Sequence, residues 1–97
     1  MIHLILSSPL FTLGDVVATP GANDALETHN IQPLTLLQRH VTGDWGEVCE
    51  EDAQSNTDAV QYGDRILSSY VVGTSTKVWV ITEWDRSVTT LLLPSEY

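Results

Sequence analysis

The rest of the chain should be arranged around the segment KVWVITEWDRSVTTLLLPSEY, residues 77–97. It predicts two strands, residues 77–83 and 87–93, because Val, Ile, Trp and Thr favour a pleated, half-buried surface. A tight turn at Trp84-Asp85-Arg86 joins them. Apolar side chains fall on both faces of each strand, so we expect the hairpin to lie inside a sheet or to be covered on both sides. Pro94 has no N–H to donate and should end the second strand.

The sequence before this hairpin predicts one further C-terminal strand and three short helices. The strand covers residues 65–72 and turns into the hairpin at Gly73-Thr74-Ser75. The helices cover about residues 22–29, residues 33–43 and about residues 48–62; the first is capped by Thr19 and the last ends at Gly63. Residues 2–6 and 14–18 predict short extended segments. We therefore expect a single α+β domain over residues 1–97, with N-terminal short strands and three helices packed on a C-terminal three-stranded antiparallel meander.

The composition gives the chain a strongly acidic surface. Four Lys and Arg residues stand against thirteen Asp and Glu residues, for a formal net charge of −9 at pH 7. Such a surface repels nucleic acid and anionic membranes and attracts basic partners. The single cysteine, Cys49, excludes an internal disulfide and indicates a reducing, cytoplasmic location. The apolar N-terminal run is too short to span a bilayer and lacks the features of a signal peptide.

Carboxylates concentrate in one part of the chain without an intervening Lys or Arg. They are Asp44, Glu47, Glu50, Glu51, Asp52 and Asp58. Acidic residues near a helix N-terminus complement its dipole, and this explanation is sufficient for residues 47–52. It does not explain the lack of a compensating base, and the alternative is a negative face that docks on a basic protein surface in place of nucleic acid. The spacing lacks the alternation of a calcium loop, so no metal is predicted.

A second candidate site combines a histidine with the turn and the last strand. His40 either interacts with the C-terminus of its helix or acts as a general acid/base. Glu83 and Arg86 either form an ion pair or serve as a base and an anion-binding group. Thr89 and Thr90 would then supply hydrogen bonds.

Two tryptophans are candidate contact residues. Trp84 lies at the tip of the predicted turn, and Trp45 lies between two glycines in a loop. Gly21 follows a predicted strand and opens a helix, but one glycine is not a dinucleotide or phosphate-loop fingerprint. The sequence therefore predicts no cofactor.

Three segments resemble a group of small uncharacterised bacterial proteins: VVATPGA (residues 16–22), RHVTGDWGE (residues 39–47) and VITEWDRSVTTLLLPSEY (residues 80–97). Those proteins are common on plasmids and other mobile elements and are often labelled plasmid-related or type I restriction subunits. The resemblance implies a counter-defence role, either anti-restriction or anti-CRISPR. In that group the position of Trp84 is usually small and the third helix is usually more basic, which singles out the turn and the acidic helix here.

The order of helices, a histidine and a meander also resembles ribonucleases of the barnase–EndoU–colicin–RelE type. That resemblance implies a metal-independent ribonuclease, with His40 as acid/base, Arg86 on the phosphate, and Thr89 or Thr90 assisting. Four basic residues offer little to an RNA backbone, which weighs against this reading.

The function expected from the sequence is therefore binding to a protein. The chain would be a small acidic protein of mobile-element origin that occludes a basic, nucleic-acid-handling surface on a bacterial defence or DNA-processing protein. Its contact residues would be the six clustered carboxylates with Trp45 and Trp84, and it would not bind nucleic acid or membrane directly. The alternatives are the ribonuclease and a structural or regulatory homo-oligomer, such as a homodimer, that uses exposed Trp45 and Trp84.

Overall fold

The computed structural model describes residues 8–97, and the strand expected at residues 2–6 lies outside this range. The elements are β1 (Asp15–Ala18), α1 (Pro20–Thr28), α2 (Pro33–Val41), α3 (Glu50–Tyr62), β2 (Ile66–Val72), β3 (Thr76–Thr82) and β4 (Val88–Leu92), followed by a 3₁₀ turn at Pro94–Glu96. The predicted α+β class is confirmed, because three helices precede a meander formed by the last three strands.

The sheet is mixed and has the strand order β1-β4-β3-β2. Strands β2, β3 and β4 pair antiparallel, and Trp79 lies opposite both Ser69 and Leu92. The hairpin β3–β4 therefore occupies the two interior positions, as its apolar faces predicted. Strand β1 pairs parallel with β4 on the far side, from Asp15 opposite Val88 to Ala18 opposite Leu91. The extended segment was predicted, but its parallel pairing was not.

The helix boundaries follow local capping. The Thr19 hydroxyl accepts a hydrogen bond from the Ala22 N–H at 3.1 Å, so α1 begins at Pro20, two residues before its predicted start. Helix α3 begins at Glu50, two residues after its predicted start, because Cys49 keeps an extended backbone as its N-cap. Gly63 ends α3 with φ 78°, a left-handed conformation that a glycine adopts without a Cβ penalty.

Two apolar clusters pack between the helices and one face of the sheet. The larger consists of Ala22, Leu26, Leu36, Leu37, Tyr70, Val72, Val78, Val80 and Leu91. The smaller consists of Phe11, Trp45, Ala59 and Ile66. Helices α1 and α2 thus cover one part of the sheet, while α3 and the loop before it cover the rest.

The C-terminal turn lies against α1 and the opposite sheet face. The Glu96 carboxylate accepts hydrogen bonds from the Thr19 hydroxyl at 2.5 Å and the Gly21 N–H at 3.2 Å. The Tyr97 ring packs on Trp79 with 5.7 Å between centroids. Trp79 is therefore half-buried under the chain terminus and does not belong to the helix-covered core.

Candidate functional site

His40 lies in the protein interior, within a chain of hydrogen bonds that runs from Ser68 to the Leu13 carbonyl. It is 0% exposed, at the last turn of α2. Its Nδ1 lies 2.6 Å from the Ser68 hydroxyl, and its Nε2 lies 2.9 Å from the Thr82 hydroxyl. The Thr82 and Thr89 hydroxyl oxygens are 2.7 Å apart, and Thr89 donates to the Leu13 carbonyl at 2.7 Å. Every member of this network has a partner.

The acceptor at one end fixes the direction of the whole network. A carbonyl oxygen only accepts, so the Thr89 proton goes to Leu13 and the Thr82 hydroxyl must donate to Thr89. Thr82 then accepts from Nε2–H of His40. The neutral ring consequently leaves Nδ1 as an acceptor for the Ser68 hydroxyl. The network thus selects one imidazole tautomer.

His40 is held neutral by its surroundings. Burial, followed by the positive charge of Arg86, lowers the pKa of His40 to about 4. A neutral imidazole with both nitrogens hydrogen-bonded and no exposed surface does not reach a substrate in this conformation. The geometry makes it a structural residue of the interface between α2 and the sheet.

Arg86 is engaged by the end of α3. Its guanidinium donates to the carbonyls of Ala59 at 2.7 Å and Asp64 at 2.6 Å, and it lies over the Phe11 ring at 5.5 Å. The last carbonyls of a helix lack intrahelical partners, and a cation stabilises them. Arg86 therefore fastens the β3–β4 turn to the C-terminus of α3.

The remaining residues of the ribonuclease hypothesis do not join His40 in one accessible site. Glu83 forms an ion pair with Arg65, with 3.4 Å between Oε1 and Nε. The prediction of an ion pair between Glu83 and Arg86 is therefore wrong. Thr90 is directed to the opposite sheet face from Thr89, because successive strand residues alternate. Of the named residues, Thr89 alone shares the hydrogen-bond network of His40.

Trp45 is a core residue, and the expectation of an exposed contact is wrong. It is 8% exposed, and its ring lies 6.4 Å from Phe11 and 6.1 Å from His40. Its carbonyl accepts from the Ser69 N–H at 3.0 Å, which places the loop along the outer edge of β2. Gly46 has φ 72°, and a Cβ there would overlap the Ser69 carbonyl. The small residue beside Trp45 permits this close approach.

Asp44 also has a structural partner. Its Oδ2 forms an ion pair with the Arg39 Nε at 2.7 Å, and its Oδ1 accepts from the Gly46 N–H at 3.2 Å. The hydrogen bond from Arg39 holds the pKa of the Asp44 carboxyl below its usual value. Asp44 is exposed, but its charge is largely neutralised by Arg39.

The other five clustered carboxylates remain on the surface and form what we call the acidic face. They are Glu47, Glu50, Glu51, Asp52 and Asp58, all exposed. Within residues 8–97 none of them forms an ion pair. Asn56 is buried where α3 meets β2: its side-chain amide donates to the Leu67 carbonyl at 2.7 Å, and its side-chain oxygen accepts from the Leu67 N–H at 3.1 Å. Asn56 thus also satisfies the open edge of β2.

Three aromatic side chains are strongly exposed, and one of them, Tyr97 at 66%, packs on Trp79. Trp84 is 66% exposed at the turn, as predicted, and Tyr62 is 71% exposed in the last turn of α3. The sequence did not single out Tyr62, because nothing local indicates that the end of α3 meets the β3–β4 turn. The sequence feature that could have identified Tyr62 is its position on the polar side of α3, one turn after Asp58.

The fold and the site define a small α+β domain with an acidic helix on its surface. No protein-family profile matches the chain, and no curated protein or solved structure is significantly similar to it. In the described part of the chain no three His, Cys, Asp or Glu residues are arranged to hold a metal ion, and no helix is long and apolar enough to cross a membrane. The resemblance to mobile-element proteins stays a prediction.

Proposed function

We propose that the protein acts by binding, and that its acidic face docks on a basic, nucleic-acid-handling surface of another protein. The observation that carries this proposal is the distribution of charge over the fold. The arginines are used within the domain, while the carboxylates of the acidic face form no ion pair among the described residues.

Each arginine neutralises or caps a group inside the domain. Arg39 pairs with Asp44, Arg65 pairs with Glu83, and Arg86 binds backbone carbonyls. Lys77 on β3 is the fourth basic residue of the chain. Few basic side chains therefore remain to neutralise the surface carboxylates, and the net charge of −9 favours encounter with a basic partner.

Catalysis has less support from the same geometry. The histidine that a metal-independent ribonuclease would need is buried and neutral, and the arginine that would hold a phosphate binds helix carbonyls. An RNA-cleaving site also needs a positive surface for the backbone. We therefore favour the inhibitor over the enzyme.

A basic surface that normally holds nucleic acid is found on restriction and CRISPR effectors, and the resemblance to plasmid and mobile-element proteins favours such a target. The site of action would be the bacterial cytoplasm, where the exposed Cys49 would stay reduced.

The test is to replace Glu47, Glu50 and Glu51 by Gln, which removes three charges and keeps side-chain shape and helix propensity nearly unchanged. A matched control removes three exposed carboxylates elsewhere, with Asp15→Asn, Asp24→Asn and Glu27→Gln. A partner is first captured from bacterial lysate and purified. Association with it should slow on the order of tenfold at low salt for the acidic-face variant and much less for the control. Equal rates for the two variants would contradict a specific acidic face.

A further inference from the structure

Arginine is bound in this domain in a repeated way, by an aromatic ring together with an oxygen acceptor. Arg39 lies 4.5 Å from the Tyr70 ring centroid and pairs with Asp44. Arg65 lies 5.4 Å from the Tyr97 centroid and pairs with Glu83. A guanidinium is planar and weakly hydrated, so it stacks on a ring while its N–H groups bond a carboxylate.

Arg86 follows the same pattern, with Phe11 as its ring and backbone carbonyls as its acceptors. The remaining ring partners are Trp45, which contacts Phe11, and Trp79, which contacts Tyr97. Tyr62 and Trp84 are the aromatic residues that have no ring or cation partner among residues 8–97. Both are also strongly exposed.

The segments that carry these two rings meet at one end of the domain. Arg86, two residues after Trp84, donates to the carbonyls of Ala59 and Asp64, which bracket Tyr62 at the end of α3. The two segments that carry the rings are therefore held together through side chains other than the rings themselves. The two rings themselves make no aromatic or cation contact among residues 8–97.

Exposed carboxylates accompany both rings. Asp58 lies one turn before Tyr62 on α3, Asp64 lies two residues after it, and Asp85 follows Trp84. Hydrogen bonds from Ser87 hold the pKa of the Asp85 carboxyl below its usual value, so this group stays ionised. Exposed rings and exposed carboxylates, the two kinds of group that hold Arg39 and Arg65, are thus close in sequence on these two segments.

We infer that Tyr62 and Trp84, with Asp58, Asp64 and Asp85, form a surface that binds arginine side chains of a partner protein. This guanidinium-binding surface rests on the proposed function and names the chemistry that it recognises. The carboxylates supply attraction to any cation, whereas the ring faces favour the planar guanidinium over the compact, strongly hydrated lysine ammonium. The partner that fits is a protein surface rich in arginine, as nucleic-acid-binding surfaces are.

The experiment uses capped hexa-arginine and hexa-lysine peptides, which carry equal charge, as probes for the full chain. Binding is followed through the indole N–H resonance of Trp84, assigned with Trp84→Phe, and through titration calorimetry. The wild-type protein should bind hexa-arginine about two- to fivefold more tightly than hexa-lysine. The Trp84 resonance should shift more with the arginine peptide.

A double variant, Tyr62→Ala with Trp84→Ala, should lose the preference for arginine and keep the salt-dependent attraction to both peptides. Leu34→Ala removes an exposed apolar side chain from α2 and should keep the preference. Circular dichroism checks that each variant folds.

Equal affinity for the two peptides, or a preference that survives in the double variant, would overturn the guanidinium-binding surface and leave the acidic-face proposal standing. If neither peptide binds at low salt, both the guanidinium-binding surface and the acidic-face proposal are contradicted. A Trp84 resonance that shifts with protein concentration before peptide is added would assign the surface to a second copy of the chain and overturn the inference.

Discussion

At the scale of single residues, His40 is the side chain whose surroundings most determine what it can do. Both ring nitrogens are hydrogen-bonded, and the network ends on the Leu13 carbonyl. A fully satisfied buried network stabilises one arrangement of its members, while an unsatisfied one costs free energy. The histidine that the sequence offered as a general acid/base instead aligns α2 with the sheet.

The pH dependence of stability follows from this burial. The pKa of His40 is about 4 in the folded chain, against 6.5 for an unperturbed histidine side chain, so the fold favours the neutral ring. The stability that the fold gains from the neutral His40 ring is fully present above pH 6.5, and it is lost as the pH falls from 6.5 towards 4. The free energy of unfolding should drop by up to about 3 kcal/mol over this range, measured by urea denaturation at each pH.

The control for this prediction compares two histidines. At neutral pH the His40→Gln variant should have a lower free energy of unfolding than the wild type. That free energy should change little between pH 6.5 and 4.5. His29→Gln changes an exposed histidine and should keep the wild-type slope. Equal slopes in the wild type and His40→Gln would contradict a neutral, buried His40.

At the scale of elements, the contact between the β3–β4 turn and α3 organises one end of the domain. Arg86 makes this contact from a backbone with φ 60°, an uncommon conformation for a residue with a Cβ. Its guanidinium bonds carbonyls of Ala59, Asp64 and Glu83. The turn is therefore fastened to the end of α3 by the hydrogen bonds to Ala59 and Asp64, and not held by an ion pair between Glu83 and Arg86.

Replacing Arg86 should consequently cost more stability than replacing Arg65. Arg86→Leu leaves helix-terminal carbonyls without a donor and should lower the free energy of unfolding by about 2–4 kcal/mol. Arg65→Leu breaks an exposed ion pair and should cost about 1 kcal/mol or less. Chemical denaturation measures both, and equal losses would contradict the structural role given to Arg86.

The elements were predictable from local patterns, whereas their long-range pairings were not. Alternation of apolar residues predicts β3 and β4, and Thr19 and Gly63 mark helix ends. The parallel pairing of β1 and the burial of Trp45 depend on segments distant in the chain, and no local pattern encodes them. The same limit applies to Tyr62, whose position beside the Trp84 turn depends on Arg86.

At the scale of the whole molecule, the useful quantity is the location of uncompensated charge rather than its sum. The sequence predicts a net charge of −9 and a cluster of six carboxylates. The fold removes Asp44 from that cluster by pairing it with Arg39, and it turns the other five outward. Which carboxylates are available to a partner therefore required the tertiary structure.

We propose that this acidic domain takes the place of nucleic acid on a basic partner. It is tested most directly by competition between the protein and the partner's DNA or RNA, measured by fluorescence anisotropy of the labelled nucleic acid. Wild-type protein should release the nucleic acid at a stoichiometric concentration, and the variant with Glu47, Glu50 and Glu51 replaced by Gln should need about tenfold more. Simultaneous binding of protein and nucleic acid to the partner would contradict it.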